Sequence, residues 1–276
     1  MKPREVVNEI MAAIYDRGLK KGAPHGPRSE VALGGGLVLD DITGHAGVDR
    51  HVVGFMLRYL NPGDTMIDVG ANIGLYSVLA GAILGPRGRV EAFEPSPTLR
   101  PCLEANIKRN GLTNIRVHPK LAGGRRMIDP FVDGIGRSGR RRVPGRREWV
   151  RARNLLQISS IQLDEVVVGR RCSLLRIDVA GYELRVLEGA EELLRRPNPP
   201  ALLIAVDSAL ADYGHSPRQV MGWLAARDYA ACFYDGRRHM MIHAPDPWRL
   251  HRMLFAFPVG AHNLISQRLA RRADAA

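Results

Sequence analysis

The sequence predicts an α/β protein: a mostly parallel, seven-stranded sheet with helices on both faces and an antiparallel terminal strand. Three observations carry this expectation. From Thr65 onward, short apolar runs alternate with helical patterns, the rhythm of βαβ units. A glycine-bearing turn, Gly70-Ala71-Asn72-Ile73-Gly74, joins the first of those runs to the first helical pattern. Near the end, Asp235-Gly236 sits between two apolar segments as a hairpin turn would.

Taken in order, residues 1–60 read as an N-terminal extension or cap. Val6 to Arg17 carries a short helical pattern, Val31 to Asp41 a hairpin around Gly34-Gly35-Gly36, and His51 to Leu60 a helix that stops at Asn61-Pro62-Gly63. The main domain is expected over 61–260, with strands at 65–69, 89–93, 115–118, 174–178 and 201–206. Its helices are expected at 74–84, 97–110, 182–195 and 216–227. Tyr229–Tyr234, Met240–His243 and Leu254–Phe257 follow as further strands, and 261–276 as a basic tail. Between Gly123 and Arg153 the chain has ten arginines, Gly/Pro punctuation and no period, so a basic loop insertion is expected at about 124–153.

Composition bounds the rest. With 276 residues, 45% hydrophobic and 25% charged, the chain can bury one sizeable core. The formal charge of +12 admits anionic partners, but charge governs encounter and solubility rather than reaction type. No RNA-reading module or base-stacking aromatic pattern accompanies it, so nucleic acid is not the expected partner. Cys102, Cys172 and Cys232 form no C-x-x-C pair, which argues against a disulfide framework or structural zinc. The N-terminus lacks an apolar signal core and no run reaches membrane-spanning length, so a cytoplasmic protein is expected.

Two acids end the first two strands of the sheet. Asp68 lies in Met66-Ile67-Asp68-Val69 before the turn, and Glu94 closes Val90-Glu91-Ala92-Phe93. A strand that turns through glycines into a helix start offers unpaired N–H groups and close backbone approach. Dinucleotide enzymes use a similar turn, but Asn72 stands where their fingerprint has its second glycine. The spacing suits S-adenosylmethionine, whose ammonium can meet Asp68; Glu94 can accept ribose hydroxyls, as acids of NAD enzymes also do, so it points to an adenosine-type ligand without selecting between them.

In these residues the chain resembles the FkbM-type methyltransferases. The matching motifs are Asp68-Val69-Gly70-Ala71-Asn72-Ile73-Gly74, Phe93-Glu94-Pro95, Leu103 to Asn106 and Asn110-Gly111-Leu112. Leu163-Asp164-Glu165, Leu174 to Val179, Gly181-Tyr182-Glu183 and Val186 to Ala190 continue the set. The resemblance spans about Pro62 to Val206 and implies a Rossmann-like class I methyltransferase fold that uses S-adenosylmethionine. It implies an O-methyltransferase acting on a hydroxyl of a small molecule, natural product or saccharide. By it, Asp68, Gly70, Ala71, Asn72, Gly74, Glu94 and Pro95 line the cofactor site, and Asp178 faces the transferring methyl group. Glu183, at the start of the next helix, is the second catalytic candidate, although a first-turn acid is also favoured there by the helix dipole.

Two departures stand out. Where the family usually has an acid after Asp178-Val179, this chain has Ala180, and its fifth strand ends in Ala205-Val206 rather than in an acid. A catalytically degenerate binding or scaffold protein is therefore the alternative, with an RNA methyltransferase behind it. His118 and His215 are further candidate bases, since imidazole titrates near neutrality. His239, His243, His251 and His262 share no metal-ligand spacing with nearby acids, and no metal is expected. Trp149, Trp223 and Trp248 are read as packing residues.

Overall fold

A computed structural model of the chain describes residues 9–10, 29–41, 48–133, 155–166, 171–195 and 200–270. The hairpin β1 (Ser29–Gly34) and β2 (Leu37–Asp41) comes first, then helix α1 (Arg50–Tyr59). Asp49 caps α1 by accepting from the His51 and Val52 amides, the usual device for unsatisfied first-turn donors. The βα units follow: β3 (Thr65–Val69), α2 (Leu75–Leu84), β4 (Arg89–Phe93), α3 (Arg100–Arg109) and β5 (Ile115–His118). After β6 (Leu121–Ala122), β7 (Ile128–Val132), β8 (Leu155–Ile161) and α4 (Leu163–Val166), the sheet resumes with β9 (Leu174–Ile177). Two short helices, α5 (Glu183–Glu188) and α6 (Glu191–Arg195), lead to β10 (Ala201–Ala205). The end of the chain supplies α7 (Pro217–Ala225), β11 (Tyr229–Asp235), β12 (Met240–Ile242), β13 (Met253–Pro258) and α8 (His262–Ala270).

The central sheet runs β12-β11-β13-β10-β9-β3-β4-β5. Strands β5, β4, β3, β9 and β10 are parallel, and β13 is antiparallel to both β10 and β11, so β11 runs with the parallel set. This is the Rossmann-like order; the sheet holds eight strands where the fold class predicts seven, each at a range that the sequence reads as a strand. The eighth is β12, returned against β11 because the Asp235 carboxylate accepts from the Arg237 and Arg238 amides and closes the turn. Alternation along the strands divides the apolar side chains between two cores. Met66 and Leu174 face one, with α1, α2 and the hairpin, while Ile67, Leu175 and Ile177 face the other, with α5 and α7.

The N-terminal hairpin belongs to the first core, through Val31, Leu33, Leu37 and Leu39. Two amides of α3 fasten it. Asn110 accepts from the Val38 amide at 3.0 Å and donates to the Val38 carbonyl at 2.7 Å; Asn106 does the same at Asp40.

Three local expectations are corrected. Ile128–Val132, expected as irregular loop, is a strand pairing antiparallel with β8 in a three-stranded sheet of order β6-β8-β7. Pro130 hides it, because a proline reads as loop punctuation although an edge strand tolerates one. The single helix expected over 182–195 is interrupted at Gly189, where any Cβ would lie 2.0 Å from the Gly123 carbonyl oxygen. Part of the tail is the helix α8, which buries Ile265 and Leu269 one turn apart. Of the helical reading of Val6 to Arg17 only Glu9 and Ile10, both helical, are described, and most of the arginine-rich loop falls outside the described residues.

Candidate active site

Strand order reverses between β3 and β9, and sheets of this kind bind ligands in the crevice outside the carboxyl ends of the strands at that point. The turn after β3 occupies it. Gly70, Asn72 and Gly74 all have positive φ, at 85°, 56° and 96°. A Cβ at Gly70 would stand 2.1 Å from the Asp178 carbonyl oxygen, so only glycine lets the turn after β3 pass the turn after β9. Asn72 is one of the few residue types that accept the left-handed region without glycine.

That turn is tied to the end of β4. The Gly70 and Ala71 amides both donate to the Phe93 carbonyl at 3.0 Å. The Asn72 amide donates to Glu94 Oε2 at 2.8 Å, and the Ser96 amide to Oε1 at 2.9 Å. Glu94 is 5% exposed, with Pro95 buried beside it. Two backbone donors therefore hold the carboxylate at the edge of the glycine turn.

Asp68 has a different setting. It is 0% exposed and pairs in register with Arg176 across the β3–β9 ladder. As residues two apart share a face, Asp68 points with Met66 toward α2, not along the strand toward the crevice. Arg176 Nη1 donates to its Oδ1 at 2.7 Å and Ser77 Oγ to its Oδ2 at 2.6 Å. Arg176 also donates from Nη2 to Asp178 Oδ2 at 2.7 Å, and its guanidinium lies 4.2 Å over the Tyr76 ring. The two carboxylates hold the Arg176 proton more firmly than usual despite burial, which acts the other way. A buried arginine thus links the acid inside β3 to the acid just past β9.

Asp178 lies half-buried beyond the last residue of β9, its amide donating to the Val69 carbonyl. Arg252 approaches its two oxygens at 3.4 Å. Five residues on, Glu183 is 1% exposed, and its Oε1 accepts from the Val179 and Gly181 amides at 3.1 Å. Its Oε2 is buried with no hydrogen-bond partner. Burial pushes the carboxyl up to about 7, against the pull of those amides. The same turn holds Ala180 at φ 52°, a conformation alanine adopts at a cost.

The remaining sequence-derived positions sit apart from this cluster. His118 Nε2 lies 2.7 Å from Glu91 Oε2, and its ring stacks on Phe93 at 4.5 Å, so it serves the β4–β5 contact. His215 lies in the turn before α7, its amide donating to the Leu210 carbonyl. Ala205 is buried at the end of β10, where the chain's next acid, Asp207, caps a 3-10 turn by accepting from the Ala209 amide. Among the described residues no group of three His, Cys, Asp or Glu side chains could hold a metal ion, and no helix is long and apolar enough to cross a membrane. Sequence reasoning missed Arg176, Arg252 and Ser77. The signal for Arg176 was its place in an otherwise apolar strand, Leu174-Leu175-Arg176-Ile177, where an unpaired charge is untenable.

The donor chemistry suits a nucleoside with a charged amino-acid arm. One carboxylate borders the glycine turn, a second stands at the strand-order switch, and no second glycine makes room for a pyrophosphate. Comparison with known proteins agrees. The model of the FkbM methyltransferase domain matches residues 68–230. The chain is 32% identical over 162 residues to 31-O-demethyl-FK506 methyltransferase FkbM of Streptomyces tacrolimicus, covering 48% of this chain and 62% of that protein. It is 27% identical over 153 residues to hexuronic acid methyltransferase AglP of Haloferax volcanii, covering 54% and 59%. The chain thus matches less than two thirds of the length of either relative. Among solved structures, fibrillarin of Aeropyrum pernix is similar with a TM-score of 0.42 at 14% identity, over 87% of this chain and 99% of that one. A glycine turn bound to a strand-end glutamate, a Rossmann-like strand order and a family match over more than half the length lead to one assignment: this chain belongs to the FkbM methyltransferase family, and its cofactor is S-adenosylmethionine.

Proposed function

We propose that the protein transfers a methyl group to a hydroxyl oxygen of a small molecule or saccharide. The cofactor supplies an electrophilic methyl group on a sulfonium centre. Glu94 would hold the ribose hydroxyls beside the Gly70–Gly74 turn. Asp178 would orient the ammonium end, itself kept in place by Arg176. The role left to Asp68 is to neutralise Arg176 from inside the sheet.

A hydroxyl nucleophile must lose its proton as it attacks, and a base with a pKa near the working pH accepts it best. The observation that carries the reading is Glu183: a buried carboxylate with one oxygen unpartnered and a pKa of about 7, in the turn that follows Asp178. We assign it the proton. The names of the two relatives support an oxygen of a natural product and a sugar acid as acceptors of those proteins, and by our reading the acceptor of this chain is a hydroxylated small molecule or saccharide.

The test is methyl transfer from radiolabelled S-adenosylmethionine to a panel of hydroxylated acceptors across pH 5 to 9. Glu183→Gln is expected to lower kcat by about a hundredfold or more and to remove the acid limb of the pH profile, with S-adenosylhomocysteine affinity unchanged. A variant that keeps both kcat and the acid limb would show that another group takes the proton.

A further inference from the structure

The small sheet β6-β8-β7 packs beside α5, with Gly123 near Tyr182 and Gly124 near Glu188. Along β7, Asp129 and Phe131 share one face, and Asp133, one residue past the strand end, continues it. Each has a distinct neighbour. Asp133 accepts from Ser96 Oγ at 2.6 Å and Thr98 Oγ1 at 2.8 Å, just beyond Glu94. Phe131 is buried in a cluster with Leu121, and the half-buried Tyr182 and Tyr213 pack against it. Tyr182 follows Asp178 by four residues, so this one strand face reaches from the turn after β4 to the turn after β9.

Asp129 is the odd member. It is 5% exposed, and its Oδ2 is buried with no hydrogen-bond partner. It lies near enough to Tyr182 to oppose loss of the phenol proton, which, with burial as the larger cause, goes up to about 12. A buried carboxylate oxygen left unpartnered weakens the fold, and such groups persist where a ligand completes them.

We propose that Asp129, backed by Phe131, Tyr182 and Tyr213, recognises the acceptor, accepting a hydrogen bond from a hydroxyl of an uncharged, hydroxylated ring and rejecting acceptors that present a carboxylate there. The unpartnered carboxylate oxygen is an acceptor, so the ligand group that completes it must donate. A carboxylate in that place would meet like charge at short range. Arg125 and Arg185, both close enough to Tyr182 to act on its charge, disfavour a cation. The half-buried Tyr182 and Tyr213 rings, edge to face at 5.6 Å, would supply the apolar wall for the carbon side of a sugar-like ring. The inference rests on the methyl-transfer reading and narrows its acceptor class against the net charge of +12, which by itself would favour acidic substrates.

The experiment uses the full chain, with S-adenosylhomocysteine titrated first by calorimetry into the wild type, Asp129→Asn and Asp129→Ala. Absence of binding by the wild type would refute the methyltransferase reading itself. With the cofactor product bound, methyl β-glucopyranoside and glucuronate are compared by ligand-observed NMR titration. The wild type is expected to bind the glucoside about tenfold more tightly than glucuronate or better. Asp129→Ala should lose about tenfold for the glucoside with S-adenosylhomocysteine affinity held within about twofold. Asp129→Asn, which keeps the shape, should narrow the preference between the two probes and melt no lower than the wild type. Failure of the wild type to bind the glucoside, equal binding of both probes, an unaltered preference in Asp129→Asn, or a marked fall in its melting temperature would each overturn the proposal.

Discussion

Asp68 and Glu94 are acids at the ends of neighbouring parallel strands, yet their surroundings are opposite. Asp68 is the penultimate residue of β3, so its side chain stands on the sheet face and is sealed by Arg176 and Ser77. Glu94 is one residue past β4, free of the pleat, and is fastened by the Asn72 and Ser96 amides. Two positions in register separate an acid sealed inside the sheet from one held at the glycine turn. Asp68 is held by a side-chain cation and a hydroxyl, and two main-chain amides are among the donors to Glu94.

The comparison breaks most visibly at Arg176. Arg176→Met leaves Asp68 buried without its cation, and a loss of about 3–5 kcal/mol in urea unfolding is expected. A loss under about 1 kcal/mol would mean that Asp68 is solvated or neutral in the folded chain. Glu183 gives the next effect. Its carboxyl titrates at about 7 when folded against an ordinary 4.5, so the folded state binds the proton more tightly. Its contribution is fully present below about pH 4.5 and is lost as pH rises through 7, roughly 3 kcal/mol in all. Glu183→Gln should therefore gain stability over the wild type at pH 8 and little at pH 4.5, as read by chemical denaturation at both.

At the rim, Glu94→Gln puts an amide donor against one of two backbone donors. S-adenosylhomocysteine affinity should fall about tenfold or more, and the unfolding free energy by about 1–3 kcal/mol. Equal affinity would remove Glu94 from the cofactor contact. The smallest effect is expected at Ala180, whose φ of 52° costs alanine more than glycine. Ala180→Gly should stabilise by about 0.5–1 kcal/mol, measured as a shift in denaturation midpoint at constant slope.

How much of this was legible in the sequence follows from the same physics. The parallel strands were readable because both faces are covered, so β3, β9 and β10 are near-continuous apolar runs. The glycine turn and Glu94 were readable because backbone geometry demands particular residue types at particular spacings. Asp68 read as a ligand contact because its place after an apolar run resembles that of a strand-end acid, and only the register with Arg176 shows what it faces. β7 was hidden by Pro130 and by an exposed Ile128, which break the alternation that marks a half-buried strand. Glu183 was legible as a catalytic candidate but not as a buried carboxylate with one oxygen unpartnered. A first-turn acid and a buried, half-satisfied acid look the same until the packing around them is known.

The N-terminal hairpin has a consequence for how copies of this protein meet. The outward amide and carbonyl of Val38 and Asp40 are the groups through which an open β2 edge would recruit a strand from another molecule. Asn110 and Asn106 occupy them, so a helix ending supplies, through its side chains, what a third strand would have supplied through its backbone. That border of the protein is closed to strand addition, and association through it would first have to unseat α3.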